Sequence, residues 1–394
     1  MDKNPNINLI CPAPWDHHCI NTNGRNRLCC NAVTSESKFL DGFKDYWIGD
    51  ELTTVRNEMI AGKKPAACVS CWKKESIGVK SLRQQFIDNY KTRNEWDTFC
   101  KEIYSIKTYP IELDLKLGNY CNLSCRMCSS FSSSTYANEF KKIYNDTGID
   151  YGINSYEKDF VQSKWYNDPV FVNTIKEIID NGLRQLKFTG GEPLMVPAVK
   201  TLLTYCIDQN KSKDIDLVLI TNGTLLTTEW IETLNQFKHV SFILSIDGVE
   251  DTFEYIRHPA KWSQMNDVFK LINDTNFYKS IAFTLQVYNL LDIENIINTA
   301  RLHNFNIDLI ALDNPAYLDV KFVPSQLQQD AISLLNNICP ANHNEKSFIS
   351  SCLNKLYTCN NDAAMQQQFV FMSRLKDKYK NQKIEQQQVW KYYE

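Results

Sequence analysis

The sequence of 394 residues lacks any long hydrophobic segment and any strong excess of charge. No apolar run approaches the ~20 residues that a membrane-spanning helix needs. The start of the chain is polar and has no signal-peptide pattern, so we expect a cytoplasmic protein. A formal net charge of −3, from 43 basic and 46 acidic residues, gives no overall attraction to nucleic acid or to an anionic membrane. Neither is therefore expected as a partner.

Cysteine, by contrast, is abundant, with 14 residues in the chain. In a reducing cytoplasm thiols stay reduced and disulfides are rare. Most of the cysteines fall into two groups near the amino end: Cys11, Cys19, Cys29, Cys30, Cys68 and Cys71, and then Cys121, Cys125 and Cys128. Such clusters in a cytoplasmic chain favour metal or iron–sulfur binding over a disulfide framework.

From residue 111 onward, short apolar runs alternate with longer amphipathic segments, which predicts βα units and a parallel sheet. The six predicted strands are Ile111–Leu117, Gln185–Thr189, Asp216–Thr221, Val240–Ile246, Ile281–Val287 and Ile307–Leu312. Six units in place of eight predict an α/β fold with a partial (βα)6 barrel of the TIM type. In such folds the chemistry lies at the carboxyl ends of the strands.

The chain is expected to contain three segments. Residues 1–100 form a small Cys-rich module with linking helices, residues 105–323 the partial barrel, and residues 324–394 a helical C-terminal extension. Helical spacing in the extension predicts helices over Gln326–Asn337 and Met365–Lys380. The segment from Asn138 to Asp168 has no clear period and is interpreted as an insertion.

The first candidate site follows the first predicted strand directly. Cys121, Cys125 and Cys128 are spaced so that three thiolates can surround one cluster. A 4Fe–4S cluster ordinarily takes four cysteines, so three leave one iron open to a ligand that is not protein. A zinc knuckle that lacks one ligand is the alternative interpretation.

A second motif, Gly190-Gly191-Glu192-Pro193, follows the next predicted strand. Two glycines let the backbone approach a ligand closely. Glu192 or nearby carbonyls can accept hydrogen bonds from an ammonium group. A Gly-Gly pair alone could be no more than a turn.

These two motifs, in this order, resemble the signatures of the radical S-adenosylmethionine (SAM) superfamily over residues 111–313. The resemblance implies an enzyme with SAM bound to the open iron of a 4Fe–4S cluster on Cys121, Cys125 and Cys128. It also implies reductive cleavage of SAM to a 5′-deoxyadenosyl radical, which takes a hydrogen atom from a substrate. A reductant such as flavodoxin or ferredoxin is the expected partner.

The resemblance further implies a SAM pocket at the strand ends. The Gly190–Pro193 motif contacts the amino group of SAM in the family, and polar contacts to its ribose and carboxylate are expected from Asn222, Ser245, Asp247 and Arg257. Gln286 and Asn289 are weaker candidates. Met127 stands where the family usually has an aromatic residue, and its polarizable side chain can line the adenine. A helix cap, an ion pair in solvent and a simple turn remain the alternatives for the four polar residues.

The amino-terminal cysteines resemble the opening of the SPASM and twitch domains, which hold auxiliary iron–sulfur clusters. Cys11, Gly24 and Cys29 fit that pattern, and Cys68 with Cys71 adds a CX2C pair. A turn at Gly24 would bring Cys11 and Cys29 together across two strands. The resemblance implies a second cluster on these four cysteines, although the module precedes the barrel here and usually follows it. Zinc is the rival occupant, and Cys19 or Cys30 could replace a named ligand.

Relatives with auxiliary clusters oxidatively modify peptides, proteins or small molecules, and the sequence does not choose between these substrates. A non-catalytic protein is the alternative, with iron–sulfur clusters for electron transfer or with zinc for structure. Such a protein would keep the three cysteines of the loop but would not need the Gly190–Pro193 motif.

Overall fold

The computed structural model describes residues 7–76, 80–150, 164–310, 312 and 314–394. Within these ranges the fold is α/β, with eight strands in one mostly parallel sheet of order β2-β1-β3-β4-β5-β6-β7-β8. The strands are β1 His17–Ile20, β2 Asn26–Arg27, β3 Glu112–Lys116, β4 Gln185–Thr189, β5 Asp216–Thr221, β6 His239–Ser245, β7 Tyr278–Thr284 and β8 Asn306–Ile310.

Helices precede, separate and follow the strands. The first eight described are α1 Ala13–Asp16, α2 Phe43–Trp47, α3 Asp50–Ile60, α4 Val69–Ser76, α5 Leu82–Thr92, α6 Trp96–Glu102, α7 Ser134–Thr147 and α8 Pro169–Asp180. The next eight are α9 Pro197–Asp208, α10 Thr228–Leu234, α11 Glu250–Ile256, α12 Trp262–Asn273, α13 Ile293–His303, α14 Ser325–Asn337, α15 His343–Leu356 and α16 Ala363–Lys380. None of the helices in the described ranges combines the length and apolar character that crossing a lipid bilayer requires.

The chain divides into two compact units. The first comprises Met1–Asn119, Gln162–Val218 and Gln236–His239, and the second comprises Tyr120–Val161, Leu219–Asn235 and Val240–Glu394. In the first unit β1 pairs antiparallel with β2 and parallel with β3, and β3 pairs parallel with β4. In the second unit β7 pairs parallel with both β6 and β8.

Alternating residue types give β3 and β4 two different faces. Leu115 and Phe188 pair in register and are fully buried. The preceding pair in register is Asp114 with Lys187, whose carboxylate and ammonium groups lie 2.9 Å apart. Because side chains alternate along a strand, one face is apolar and packs in the core, while the other carries charge.

The prediction of an α/β fold with six successive strands after residue 111 is confirmed, because those strands are β3 to β8. The bounds of β4 and β5 agree with the predicted ones, whereas β7 begins at Tyr278 and not at Ile281. The amino-terminal strands extend the same sheet, which the sequence did not indicate. The three predicted domain segments stay a prediction.

Three described helices after residue 105, α7, α11 and α15, were not anticipated from the sequence, and the interpretation of one segment as an insertion stays a prediction. The segment 138–168, interpreted as an insertion, begins inside α7 and ends at the start of α8. Its central part, 151–163, lies outside the described residues.

Candidate functional site

The cysteine loop, defined as residues 121–128, follows β3 in the chain and belongs to the second unit. Its backbone is fixed by the segment that ends α11. Ser124 N donates to His258 O at 2.8 Å, and Arg126 N donates to Ile256 O at 2.9 Å. The path of the loop between its first and last cysteines is therefore set by main-chain hydrogen bonds rather than by side chains alone.

The three thiols of the loop lie close enough to interact electrostatically. Cys121 and Cys125 are buried and Cys128 is half-buried. Burial raises the pKa of Cys125 and of Cys128, and the pKa of Cys128 is raised further by Cys125 and Cys121. Burial thus disfavours the thiolate forms of Cys125 and Cys128, and the charge of a bound metal would offset that cost.

Arg257 is the cation nearest to the loop's second cysteine. Its Nη1 lies 4.0 Å from Cys125 Sγ, and its Nη2 lies 2.6 Å from Asp247 Oδ2. Asp247 is fully buried and also accepts a hydrogen bond from Thr284 N at 2.7 Å. Burial raises the pKa of Asp247, while Arg257 opposes that rise. The solvated ion pair considered as an alternative is therefore wrong for these two residues, because both are buried.

The amide of Asn289 is occupied within the protein. Its Nδ2 donates to Asp247 O and to Thr284 O, both at 2.9 Å, and its Oδ1 accepts from Gln286 N at 2.9 Å. Asn289 therefore braces the backbone around Asp247. Gln286 is also fully buried, and Ser245, at the end of β6, is half-buried.

Asn222 forms a local turn and also reaches the cysteine loop. Its Oδ1 accepts from Thr224 N at 2.9 Å, which is the turn considered in the sequence analysis. Its Nδ2 donates to Asn122 Oδ1 at 2.9 Å, and Asn122 Nδ2 donates to Thr224 Oγ1 at 2.8 Å. The end of β5 is thus tied to the residue that follows Cys121.

The Gly190–Pro193 motif lies in the first unit, directly after β4. Gly190 has φ +116°, and a Cβ there would lie 3.1 Å from Gly118 O, so a side chain would strain the backbone. Glu192 is buried, and its Oε1 accepts from Leu194 N at 2.9 Å. Glu192 therefore caps the short helix Pro193–Met195, a role that the sequence analysis did not assign to it.

Cys11, Cys29, Cys68 and Cys71 are brought together in the first unit, where all four line one small cavity. The hairpin of β1 and β2 turns at Gly24, which has φ +76°, as predicted. The prediction that Cys11 and Cys29 face each other across two strands is wrong, because Cys11 precedes α1 and Cys29 follows β2. Burial raises the pKa of Cys11, and the thiols of Cys29, Cys68 and Cys71 raise it further. The four cysteines named from the pattern thus share one neighbourhood.

Arg83, which the sequence analysis did not single out, lies beside this four-cysteine pocket. Its guanidinium donates to Ile10 O at 3.0 Å, pairs with Glu75 at 2.7 Å and stacks over Trp72 with 4.9 Å to the ring centroid. Burial raises the pKa of Cys68 to about 12, and Arg83 counteracts that rise. The only sequence signal for this arginine is its place in the first turn of a helix with a capping box.

Cys19 and Cys30 lie in a different setting. Burial raises the pKa of Cys19, and the charges next to it are Asp114, Lys116 and the Cys30 thiol. Cys30 also contributes to the raised pKa of Cys29. The two spare cysteines are therefore neighbours of the four-cysteine pocket but do not line its cavity.

Within the described ranges, no group of three or more histidine, cysteine, aspartate or glutamate side chains is arranged to hold a metal ion. The ligand roles of both cysteine sets therefore stay predictions, supported by burial and by the mutual effect on pKa. Met127, the predicted neighbour of adenine, is half-buried in the cysteine loop.

The comparison with protein-family models matches residues 115–300 to the Radical SAM superfamily. This stretch contains both predicted motifs, the cysteine loop and Gly190–Pro193. The region is a radical SAM domain. The cofactors of such a domain are a 4Fe–4S cluster and SAM, and the loop's buried thiols fit the cluster's need for thiolate ligands.

Among curated proteins, the chain is similar to the sporulation killing factor maturation protein SkfB of Bacillus subtilis, with 22% identity over 49% of this chain and 40% of SkfB. It is also similar to the radical SAM cyclopropyl synthase TigE of Paramaledivibacter caminithermalis, with 24% identity over 50% of this chain and 38% of TigE. The chain thus spans about two fifths of the length of these relatives.

Among solved structures, Streptococcus suis SuiB bound to its precursor peptide SuiA aligns with a TM-score of 0.39 and 15% identity, covering 81% of this chain and 68% of SuiB. The structure of anSMEcpe with bound AdoMet aligns with a TM-score of 0.41 and 19% identity, covering 58% of this chain and 60% of that one.

Proposed function

We propose that this protein is a radical SAM enzyme that cleaves SAM reductively and removes a hydrogen atom from a peptide, protein or small-molecule substrate in an oxidative modification. SAM bound to the reduced cluster supplies a 5′-deoxyadenosyl radical, which the protein residues then direct. One observation carries the proposal. Three thiols, spaced as in the superfamily and close enough for Cys121 and Cys125 to raise the pKa of Cys128, lie in a loop within a radical SAM domain.

Cys121, Cys125 and Cys128 would hold three irons of the cluster and leave the fourth to SAM. Arg257 supports this role, because it is directed at Cys125 and offsets the negative charge of its thiolate. Asp247 in turn holds the guanidinium in place. We assign Arg257 to the environment of the cluster and of the SAM carboxylate, and Asp247 to the positioning of Arg257.

The Gly190–Pro193 motif would form the part of the pocket that holds the amino group of SAM. The backbone at Gly190 has φ +116°, and a side chain there would meet Gly118 O at 3.1 Å, so glycine suits this position, where main chain would meet ligand. Because Glu192 Oε1 caps the helix Pro193–Met195, the glutamate also fixes the carbonyls around it. A SAM ammonium would be recognised by this rigid turn.

The four-cysteine pocket would hold an auxiliary iron–sulfur cluster. Four buried thiols that line one cavity, three of which raise the pKa of Cys11, match the full ligand shell of a cluster. Such a cluster would accept an electron from the substrate radical, which favours a net oxidation. Tetrahedral zinc would suit the same four cysteines and would give a purely structural module.

The relatives leave the substrate class divided between peptides or proteins and small molecules. SkfB is named for the maturation of a sporulation killing factor, whereas another relative, with 25% identity over 50% of this chain, is named GTP 3′,8-cyclase. We propose an intracellular site of action, where a flavodoxin or ferredoxin could deliver the electron and thiols stay reduced.

The test of SAM cleavage uses the full chain, reconstituted anaerobically with iron and sulfide and then incubated with SAM and dithionite. Release of 5′-deoxyadenosine supports the enzyme. Its absence from a protein with a full cluster on the cysteine loop would favour the non-catalytic alternative. Cys100→Ser is the matched control, because Cys100 belongs to neither cysteine set and must leave the release unchanged.

The metal content tests the auxiliary site separately. Iron and sulfide near eight per chain, as expected for two 4Fe–4S clusters, support the auxiliary cluster, whereas about four iron atoms with one zinc would assign the pocket to zinc.

A further inference from the structure

Two buried lysines of the last long helix reach the backbone of the cysteine loop. Lys380 Nζ donates to Ser124 O at 2.7 Å and to Ser124 Oγ at 2.9 Å. Lys376 Nζ donates to Arg126 O at 3.1 Å. Ser124 and Arg126 are the residues on either side of Cys125. The helix α16 therefore holds the loop by two of its carbonyl groups, next to the cysteine that has Arg257 as a neighbour.

The side chain of Arg126, which belongs to the cysteine loop, in turn reaches α16. Its guanidinium is fully buried, forms an ion pair with Asp377 of α16, and lies over the Tyr255 ring at 3.5 Å from the centroid. Three positions within little more than one turn of α16 therefore contact two residues of the loop. Capping the end of α16 alone would not require this many contacts with the loop.

Moving a charged lysine out of water costs free energy, so the buried positions of Lys376 and Lys380 need an explanation. Lys376 and Lys380 are 1% and 4% exposed, and burial lowers the pKa of each; together with the charge of Lys380 it lowers the pKa of Lys376 to about 7. Lys380 forms an ion pair with Glu139, whereas Lys376 donates to Tyr136 Oη at 3.2 Å. A buried cation is tolerated where negative charge lies nearby. Glu139 supplies such charge to Lys380 and also opposes the fall in the pKa of Lys376, and a cluster held by the loop would add further negative charge beside both lysines.

We propose that Lys376 and Lys380 are positioning residues of the cluster, which hold the cysteine loop in its ligating conformation and place positive charge beside it so that the cluster is easier to reduce. The inference rests on the proposed function, since it needs a cluster on Cys121, Cys125 and Cys128. A cluster held by three thiolates is anionic and gains one more negative charge on reduction. Nearby cations stabilise the reduced form more than the oxidised form, which raises the reduction potential.

The experiment is a potentiometric titration of the anaerobically reconstituted full chain, followed by electron paramagnetic resonance. The cluster with the open iron is identified as the one whose signal changes when SAM is added. The variants are Lys376→Gln, which keeps a donor for the Arg126 carbonyl but removes the charge, and Lys380→Gln. Lys378→Gln is the matched control, because Lys378 is exposed on the same helix.

We expect Lys376→Gln to lower the equilibrium constant for reduction of this cluster about tenfold, equivalent to about 59 mV for one electron. Loss of iron from the loop in either variant, with a far-ultraviolet circular dichroism spectrum like that of the control, would also support the positioning role. Unchanged potential and unchanged iron in both variants would overturn it. If Lys376→Gln does not fold, Lys380→Gln decides by the same two measurements. A wild-type protein without iron on the loop would instead contradict the proposed function.

Discussion

The two cysteine sets of this protein are built in different ways. The loop takes its three thiols from residues 121–128, so short-range spacing and main-chain hydrogen bonds define it. The pocket takes four thiols from separate segments: one before β1, one after β2, and two at the start of α4. The three thiols of the loop thus come from one short segment, whereas the four thiols of the pocket come together only when the first unit has folded.

Their electrostatic surroundings differ as well. Next to the loop lie three buried cations, Arg257, Lys376 and Lys380. The pocket is lined mainly by apolar side chains, and Arg83 is the cation in its lining. If the proposed clusters are bound, the cations beside the loop would favour its reduction, and metal bound in the pocket would add to the stability of the first unit.

The largest effect is expected from Cys125→Ser. Removing one of only three ligands from the loop should lower 5′-deoxyadenosine release by more than the about 100-fold typical of losing an outer-shell partner. Iron should fall from about eight to about four per chain, because the pocket keeps its own cluster. Liquid chromatography of the products and an iron assay measure both. Release at the wild-type rate would contradict the role of the loop.

Cys29→Ser tests the four-cysteine pocket, and its effects should be the opposite of those of Cys125→Ser. The pocket loses its metal, and the thermal midpoint falls because metal binding stabilises the folded unit. SAM cleavage without substrate should persist, since the loop is untouched. Differential scanning calorimetry and the 5′-deoxyadenosine assay provide the measurements, with Cys339→Ser at an exposed cysteine as control. A variant with full iron content would show that Cys29 is not a ligand.

Asp247→Asn should weaken the support of the loop without removing a ligand. The change leaves Arg257 buried without its charge partner, and breaking a buried pair lowers the free energy of unfolding by about 3–5 kcal/mol. Urea denaturation monitored by circular dichroism gives this value. Asp216→Asn is the control, because its pair with His239 is exposed and should change stability by less than about 1 kcal/mol. Equal effects of the two changes would contradict the buried role of Asp247.

The smallest effect concerns acid sensitivity in the unit that carries the pocket. His18 in β1 is fully buried, and burial lowers its pKa to about 3. Because the unfolded chain binds a proton near pH 6.5 and the folded chain does not, stability falls as the pH drops below 6.5. At pH 5.5 the loss is about 1.4 kcal/mol.

Urea denaturation of the apoprotein between pH 7.5 and 5.5 measures this dependence. His18→Phe keeps a ring beside Phe43 and Trp47 and should remove the His18 contribution to the slope. The same slope in wild type and variant would show that another group is responsible.

Features that depend on a few neighbouring residues could be predicted from the sequence. The cysteine spacing, the Gly190–Pro193 motif and strands such as β4 and β5 could all be predicted, because period and spacing act over a few residues. The four cysteines of the pocket were grouped through the resemblance to SPASM and twitch domains; the structure brings them to one cavity, and their role as ligands stays a prediction.

Long-range pairings could not be predicted in this way. Strand β1 has four residues and β2 has two, too few for a periodic signal, so their place in the sheet depends on pairing with β3. The contacts of α16 with the loop join residues about 250 positions apart. Nothing in the pattern of α16 marks Lys376 as buried, because lysines are ordinarily exposed.

Strand β1 covers one side of β3, residue by residue from Glu112 to Leu115. A shortened chain beginning near residue 105 would leave a row of N–H and C=O groups there without protein partners. Unpaired strand edges of this kind pair with strands of other molecules and cause aggregation. The amino-terminal hairpin is consequently part of the sheet itself, and a chain without it should aggregate more readily than the full chain.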